Sequence, residues 1–395
     1  MTASDKERLY IYLSTNLIMA TIPTYKELAV FGKGNIEQVK QIVAAKSDIS
    51  QLSRIPPSFI IIDLTWRCNY KCLDCIDAEA VNKISEDMPV ELIEDIFDYS
   101  KIKNVRGIMT MGGEVFLHNK GIRKALRKSV ETRIPLKIVS NGSCLERHVD
   151  DVAEAFKIPG SVLRVSVNAG REHYQQQTGS KTNLEDVFYS IERITSQGTP
   201  VSVSTVVFPA SSKKDGTIPN VKSLPEIIKY CEYAKIERLI LLPSRNPFTK
   251  GRYELTDDEK IQLEKIKGAG YDLNIEIGSF SKQDDIGNQN LDFTPCPSGF
   301  IFTLIGSDGK VYKCSDNRGR DSMVIGEVHK KGDFEKFWHS QERVEKQFET
   351  KCENSSCVRY RVNCLLDNAC RLYRERGVDL VPYLEQLGGI EAIFV

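Results

Sequence analysis

Cys68, Cys72 and Cys75 fall within one short run, Thr65–Cys75, which reads T-W-R-C-N-Y-K-C-L-D-C. The spacing C-x3-C-x2-C delivers three thiolates from a single loop. Three thiolates can hold three irons of a four-iron cluster and leave the fourth iron open to chelate a small molecule; four thiolates cannot. A closed zinc site needs four ligands, and no fourth Cys or His lies nearby in sequence. His118 and Cys144 are the distant alternatives. The chain has eleven cysteines, three of them here and six between positions 296 and 370, with Cys144 and Cys231 alone. The partly apolar segment Leu9–Ile22 is broken by Ser14, Thr15 and Asn16 and follows mixed charges. It reads as a packed helix rather than a signal peptide, so a reducing, cytoplasmic setting is expected. Clustered cysteines there point to metal rather than to disulfides.

The elements that must position this loop follow from hydrophobic pattern. Ser58–Leu64 is a short buried strand leading straight into the cysteines. A helix at Val90–Tyr99 follows, then a strand at Val105–Met111, a helix near Lys120–Glu131 and a strand at Leu136–Ser140. Next come a helix at Val149–Phe156, a strand at Val162–Asn168, a helix at Leu184–Thr195 and a strand at Val201–Phe208. A helix at Leu224–Ala234 and a strand at Arg238–Leu242 complete six strand–helix units. Alternation at this spacing implies parallel strands with crossover helices, hence an α/β fold: a partial (βα)6 barrel of TIM type. In such barrels the loops at the strands' C-terminal ends carry the chemistry. A charged helix at Lys250–Gly268 and a strand at Tyr271–Ile277 follow, and the polar stretch Ser281–Asn290 reads as a linker. The expected organisation is a helical segment over 1–55, the barrel over 56–285, and a Cys-rich domain with a hairpin and helices over 291–395.

The 54 basic and 54 acidic residues among 395 cancel. Neither a nucleic-acid partner nor an anionic membrane surface is expected, and no apolar run approaches the roughly 20 residues of a spanning helix.

Three further sites lie at predicted strand ends. Gly112–Gly113–Glu114 closes the second strand, where glycines permit close backbone approach. Ser140–Asn141–Gly142 ends the third strand in a strong turn signal. Arg164, Ser166 and Asn168 alternate along the fourth, which places all three on one face, the barrel interior. Polar residues there need partners: a ligand for Ser166 and Asn168, and a ligand or a salt bridge for Arg164. In the last third, Phe300–Cys314 reads as a hairpin turning at Ser307–Asp308–Gly309. A hairpin brings Cys296 and Cys314 together as ligands, and Cys352 and Cys357 would complete a fully ligated cluster; zinc is the alternative.

On these motifs residues 58–245 resemble the radical S-adenosylmethionine (SAM) superfamily. The resemblance implies a [4Fe–4S] cluster on Cys68, Cys72 and Cys75, SAM bound at the open iron, and reductive cleavage to a 5′-deoxyadenosyl radical that takes hydrogen from substrate. It implies SAM contacts at Tyr70 beside the adenine, at Gly112, Gly113 and Glu114 around the methionyl amino group, at Ser140 and Asn141, and at Ser166 and Asn168. An electron donor of flavodoxin or ferredoxin type goes with that chemistry.

Cys296-x12-Gly309-x4-Cys314 resembles the SPASM extension or its shorter twitch form. One auxiliary [4Fe–4S] cluster is expected, with Cys364 and Cys370 either completing a second or idle. The expected substrate is a small polar metabolite (a sugar, an aminocyclitol or nucleoside-like) undergoing oxidation or epimerisation at a carbinol. Base candidates are Asp316 and Arg164, and Cys144 would be the hydrogen donor for epimerisation. The alternatives are a peptide maturase and, in another class, a non-catalytic metal-binding scaffold.

Overall fold

The computed structural model describes residues 41–42, 49–78, 80–244, 253–278 and 296–350. Its spine is a ten-stranded sheet in the order β10-β9-β8-β1-β2-β3-β4-β5-β6-β7. β1 (Phe59–Thr65), β2 (Gly107–Gly112), β3 (Leu136–Ser140), β4 (Val162–Ser166), β5 (Val201–Val207), β6 (Arg238–Pro243) and β7 (Asn274–Ile277) run parallel, each beside its successor. The partial α/β barrel expected from the alternation is therefore present, with a seventh strand after the six units.

The two faces of the sheet differ because side chains alternate along each strand. Ile60, Ile62 and Leu64 of β1 point the same way as Ile108, Leu136, Ile138, Leu163, Val165, Val203, Leu239 and Leu241. All are buried in one core with residues of the crossover helices. The helix Asn119–Thr132 shows how the pattern works: Ile122, Ala125, Leu126 and Ser129 recur at three- and four-residue spacing and are buried. The opposite, inward face is far more polar. It carries Asp63, Lys137, Arg164, Ser166, Ser202, Ser204, Arg238 and Glu276, together with Ile61, Met109 and Met111.

Several boundaries move for local reasons. β4 stops at Ser166 instead of reaching Asn168. The Asn168 side chain ends the ladder there, its Oδ1 accepting from Val206 N at 3.0 Å, while Asn220 Nδ2 donates to the Asn168 carbonyl at 2.8 Å. The charged helix expected from Lys250 starts at Asp257, set by a capping box between Thr256 and Glu259; residues 250–252 lie outside the described residues. The strand expected from Tyr271 narrows to Asn274–Ile277.

The hairpin forms as expected, β8 (Phe302–Ile305) against β9 (Lys310–Tyr312), antiparallel with Leu304 opposite Tyr312. It also adds to the barrel sheet, because β8 runs parallel to β1 with Phe59 opposite Phe302, their rings stacked at 5.7 Å. The boundary expected between 285 and 291 lies outside the described residues. β10 (Val324–Glu327) and the helices Tyr174–Thr178, Asp333–Trp338 and Gln341–Glu349 complete the described structure. Among the described residues no helix is long and apolar enough to cross a membrane.

Candidate functional site

The cysteine loop leaves β1 at the C-terminal mouth of the barrel and is pinned from three sides. Asn82 grips Cys68 by its backbone: Oδ1 accepts from Cys68 N at 2.9 Å, and Nδ2 donates to Cys68 O at 3.2 Å. Lys71 N donates to Thr178 O at 2.8 Å and Leu73 N to Gln177 O at 3.0 Å, so the short helix after β4 buttresses the loop. From β2, Gly113 N donates to Thr65 O and Glu114 N to Arg67 O, each at 2.8 Å. Gly112 adopts φ +125°, and a Cβ on Gly113 would lie 2.1 Å from the Arg67 carbonyl oxygen. The two glycines thus allow the exit of β2 to pass against the start of the cysteine loop.

Glu114 is fully buried. Its Oε1 accepts from Phe116 N at 3.1 Å and from Ser140 Oγ at 2.9 Å, and its Oε2 accepts from Asn141 N at 2.8 Å. Burial raises its pKa, opposed by these donors. The carboxylate therefore locks the exit of β2 to that of β3. Glu114→Gln would turn an amide N–H₂ toward groups that all donate. It should cost about 1–3 kcal/mol, the range for an unsatisfied buried donor, measured by urea denaturation; unchanged stability would contradict this role.

Asn141 reaches the cysteine loop directly, with Nδ2 3.0 Å from Asn69 Oδ1 and 3.9 Å from Cys68 Sγ. Tyr70 N also donates to Cys68 Sγ, at 3.4 Å. Tyr70 itself is buried, its ring edge-on to Tyr174 at 6.4 Å and its hydroxyl 3.4 Å from the Tyr174 hydroxyl. Asn168 is joined to the loop through Asp74: Asn168 Nδ2 donates to Asp74 Oδ2 and Gln177 Nε2 to Asp74 Oδ1, both at 3.0 Å. Both ends of the Asn168 amide are thus engaged by protein. Ser166 sits beside Ser204 at the end of β4. Cys144, in the loop after β3, is half-buried and accepts from Ser143 Oγ at 3.7 Å; burial raises the pKa of Cys68, and Glu114 and Cys144 add to it. His118 is committed elsewhere, with Nε2 3.0 Å from Met88 O and Nδ1 3.4 Å from Asp87. Cys231 is buried in the core.

Arg164 lies lower in the barrel than these groups, near Arg238 and Glu276, whose charges act on it. Of the second cysteine group, Cys296 and Cys314 are half-buried beside the hairpin. Cys352, Cys357, Cys364 and Cys370 lie outside the described residues, as does the side chain of Asp316. The turn after Cys314 nevertheless reaches the first loop. Arg318, buried, places Nε 3.3 Å from Asp63 Oδ2 and Nη1 3.2 Å from Asp77 Oδ2, so it ties the inward face of β1 to the residue two beyond Cys75.

Asp63, Asp74, Asp77, Asn82, Gln177 and Arg318 were not singled out by sequence reasoning. Only Asp63, an acid inside the apolar run F-I-I-I-D-L-T, carried a signal that could have been read. Burial pushes its carboxyl up to about 7, with Arg318 pulling the other way. A carboxyl whose folded pKa exceeds its unfolded value takes up protons on folding, so its contribution weakens the fold as pH rises from about 4 to about 7. Asp63→Asn removes that slope. The stability difference between variant and wild type, from urea denaturation, should move in the variant's favour between pH 5 and pH 8; an unchanged difference would refute the assignment.

The three loop cysteines share one electrostatic neighbourhood. Burial raises the pKa of Cys72 strongly, and Asp74, Cys75 and Cys68 add to it; burial and Asp77 push Cys75 up to about 12. As free thiolates they would be costly, whereas bound to iron their charges are compensated. Among the described residues no three His, Cys, Asp or Glu side chains converge on a single metal ion. A four-iron cluster does not require that, since each thiolate takes its own iron. Three half-buried thiols on a pinned loop, with N–H donors aimed at one sulfur, fit such a cluster.

A parallel barrel, a three-cysteine loop at its mouth and interlocked strand ends are what these residues build. Residues 62–217 match the family model described as the Radical SAM superfamily, a family whose cofactors are a [4Fe–4S] cluster and SAM. Among curated proteins the chain is similar to GTP 3′,8-cyclase of Helicobacter pylori strain HPAG1, 24% identical over 186 residues, 46% of this chain and 53% of that protein. It is also similar to Fe-coproporphyrin III synthase of Methanosarcina barkeri, 24% identical over 235 residues, 58% of this chain and 54% of that protein. The chain thus spans about half the length of the curated relatives it matches. Among solved structures it shares its fold with Streptococcus suis SuiB bound to the precursor peptide SuiA. There the TM-score is 0.58 and identity 16%, over 85% of this chain and 76% of that one.

Proposed function

We propose that this chain cleaves SAM reductively at the Cys68–Cys72–Cys75 loop and takes hydrogen from a small polar metabolite bound in the barrel, oxidising or epimerising a carbinol. The observation carrying this reading is the convergence of the exits of β2, β3 and β4 on the cysteine loop that leaves β1: Glu114 N on Arg67 O, Asn141 Nδ2 on Asn69 and Cys68, and Asn168 on Asp74. The cluster and SAM, when bound, supply the 5′-deoxyadenosyl radical. The chain's own residues hold the cysteine loop against the strand ends and keep polar groups on the inward face for the substrate. In oxidation the carbinol carbon would give up a hydrogen atom and a proton would pass to a base, for which Arg164 and Asp316 are the candidates; Cys296 and Cys314, with Cys352 and Cys357 in a 291–395 domain, would hold an auxiliary cluster whose chemistry is to accept the remaining electron. In epimerisation Cys144 returns a hydrogen atom from the opposite face. A flavodoxin- or ferredoxin-type protein supplies the electron that starts the reaction.

The test is anaerobic reconstitution followed by reduction with dithionite in the presence of SAM. Formation of 5′-deoxyadenosine and methionine is expected; intact SAM would favour the scaffold alternative. With a labelled substrate, deuterium should appear in 5′-deoxyadenosine, and Cys144→Ala should abolish epimerisation but spare oxidation. Maturation of a ribosomally made peptide is the second reading, prompted by the peptide bound to SuiB, a likeness that extends to fold.

A further inference from the structure

The cysteine loop turns a basic, partly apolar edge to solvent. Lys71 and Leu73 stand on either side of Cys72; Lys71 is exposed and Leu73 is 43% exposed. The chain that follows the short helix Tyr174–Thr178 continues this edge. Gly179 turns there with φ +58°, and a Cβ on it would lie 3.0 Å from Lys71 Cβ, so the backbone at Gly179 passes directly against Lys71. Lys181, two residues on, is exposed, and its carbonyl accepts from Gln175 Nε2 at 3.1 Å. Among the described residues neither Lys71 nor Lys181 is ion-paired. The acids of the same loop do not offset them. Asp74 turns inward to Asn168 and Gln177, and Asp77 and Asp87 are paired with Arg318 and Arg67.

A solitary exposed leucine needs no explanation; what singles out Leu73 is its place, one residue from Cys72 and two from Cys75. Consecutive Cα atoms stand about 3.8 Å apart, so a protein touching Leu73 comes within two residue lengths of two cluster ligands. Unpaired lysines around that point attract an acidic surface. They speed encounter and fix orientation more than they add affinity, which suits a carrier that must dock, discharge and leave. Electron-transfer complexes of that kind use small interfaces, and an apolar contact rimmed by charge is how such an interface is built.

We propose that Lys71, Leu73 and Lys181 form the docking surface for an acidic one-electron carrier protein of flavodoxin or ferredoxin type. Leu73 is the apolar centre of the contact, and the two lysines face carboxylates of the carrier. One electron leaves the reduced carrier, which is oxidised, and enters at the Cys68–Cys72–Cys75 loop, where the cluster is reduced. The proposal rests on the reading that this loop holds a cluster needing reduction. Its test measures docking directly, so a failure of SAM cleavage does not decide it.

The experiment is titration of oxidised flavodoxin onto the immobilised, reconstituted holoprotein at low salt, read by biolayer interferometry. Saturable binding is expected, and it should weaken as salt rises, since at 0.1 M charges are screened beyond about 10 Å. Lys181→Glu and Lys71→Glu should each raise Kd at least tenfold, and Leu73→Ser two- to fivefold. Lys101→Glu is the control: it reverses an exposed charge at the C-terminal end of the helix Val90–Ile102, away from the barrel mouth, and should bind as wild type. With flavodoxin reduced by its own reductase as the electron source, 5′-deoxyadenosine formation in Lys181→Glu should fall in step with binding; with dithionite it should match wild type. No saturable binding, equal binding by Lys181→Glu and wild type, or an equal loss in Lys101→Glu would overturn the proposal. A Lys181→Glu protein that binds flavodoxin normally but loses dithionite-driven turnover would assign the face to substrate and overturn it as well.

Discussion

Cys72→Ala should abolish formation of 5′-deoxyadenosine, a fall of at least a thousandfold. The Cys72 thiol is strongly disfavoured as a free thiolate by burial, with Asp74, Cys75 and Cys68 adding to it. Removing it leaves two thiolates, too few to hold three irons of a cube while exposing the fourth. Iron content after reconstitution should fall in parallel, by the share that this loop holds. The fold should survive, because the loop is fastened by Asn82, Thr178 and Gln177 rather than by its sulfurs. Far-UV circular dichroism and melting of the apoprotein check that point. A variant with full iron and undiminished 5′-deoxyadenosine would remove Cys72 from the site.

Gly113→Ala should be nearly as damaging for a steric reason. Its Cβ would stand 2.1 Å from the Arg67 carbonyl oxygen, 2.6 Å from the Arg67 carbonyl carbon and 2.8 Å from the Trp66 oxygen. All three are backbone atoms one or two residues before Cys68, so the strain cannot be relieved by turning a side chain. Either β2 or the cysteine loop must move, and the loop is the lighter partner. Overpacking of this kind costs about 1–3 kcal/mol, occasionally more, and here it displaces the ligands themselves. The expected result is less than half the wild-type iron after reconstitution and a lower urea midpoint. Gly268→Ala, where no heavy atom lies within 4 Å, is the control and should match wild type in both.

The barrel was legible because its strands and helices differ in period. Leu136–Ser140 and Leu184–Thr195 appear with the bounds the pattern gives. The cysteine loop and the strand-end motifs were legible because their chemistry depends on local spacing. What escaped reading is tertiary. The β8–β1 pairing joins residues far apart in sequence, and no turn signal announces a parallel neighbour. Arg318 is one arginine among many until Asp63 and Asp77 are brought to it. The end of β4 was misjudged because Asn168 alternates correctly with Arg164 and Ser166, yet its amide takes the place of a ladder carbonyl. Glu114 was placed in the right motif, but its three donors come from β3 and from its own turn.

The account stands on one iron left open in the Cys68–Cys72–Cys75 loop. Electron paramagnetic resonance of the dithionite-reduced protein tests it, with Cys296 and Cys314 changed to Ala so that one cluster dominates the signal. SAM carrying nitrogen-15 in its methionyl amino group should shift the g-values, and nuclear coupling to that nitrogen should appear; both should persist in Cys144→Ala. A spectrum indifferent to SAM, or one that responds only after Cys144 is removed, would mean that the fourth iron is already ligated by protein.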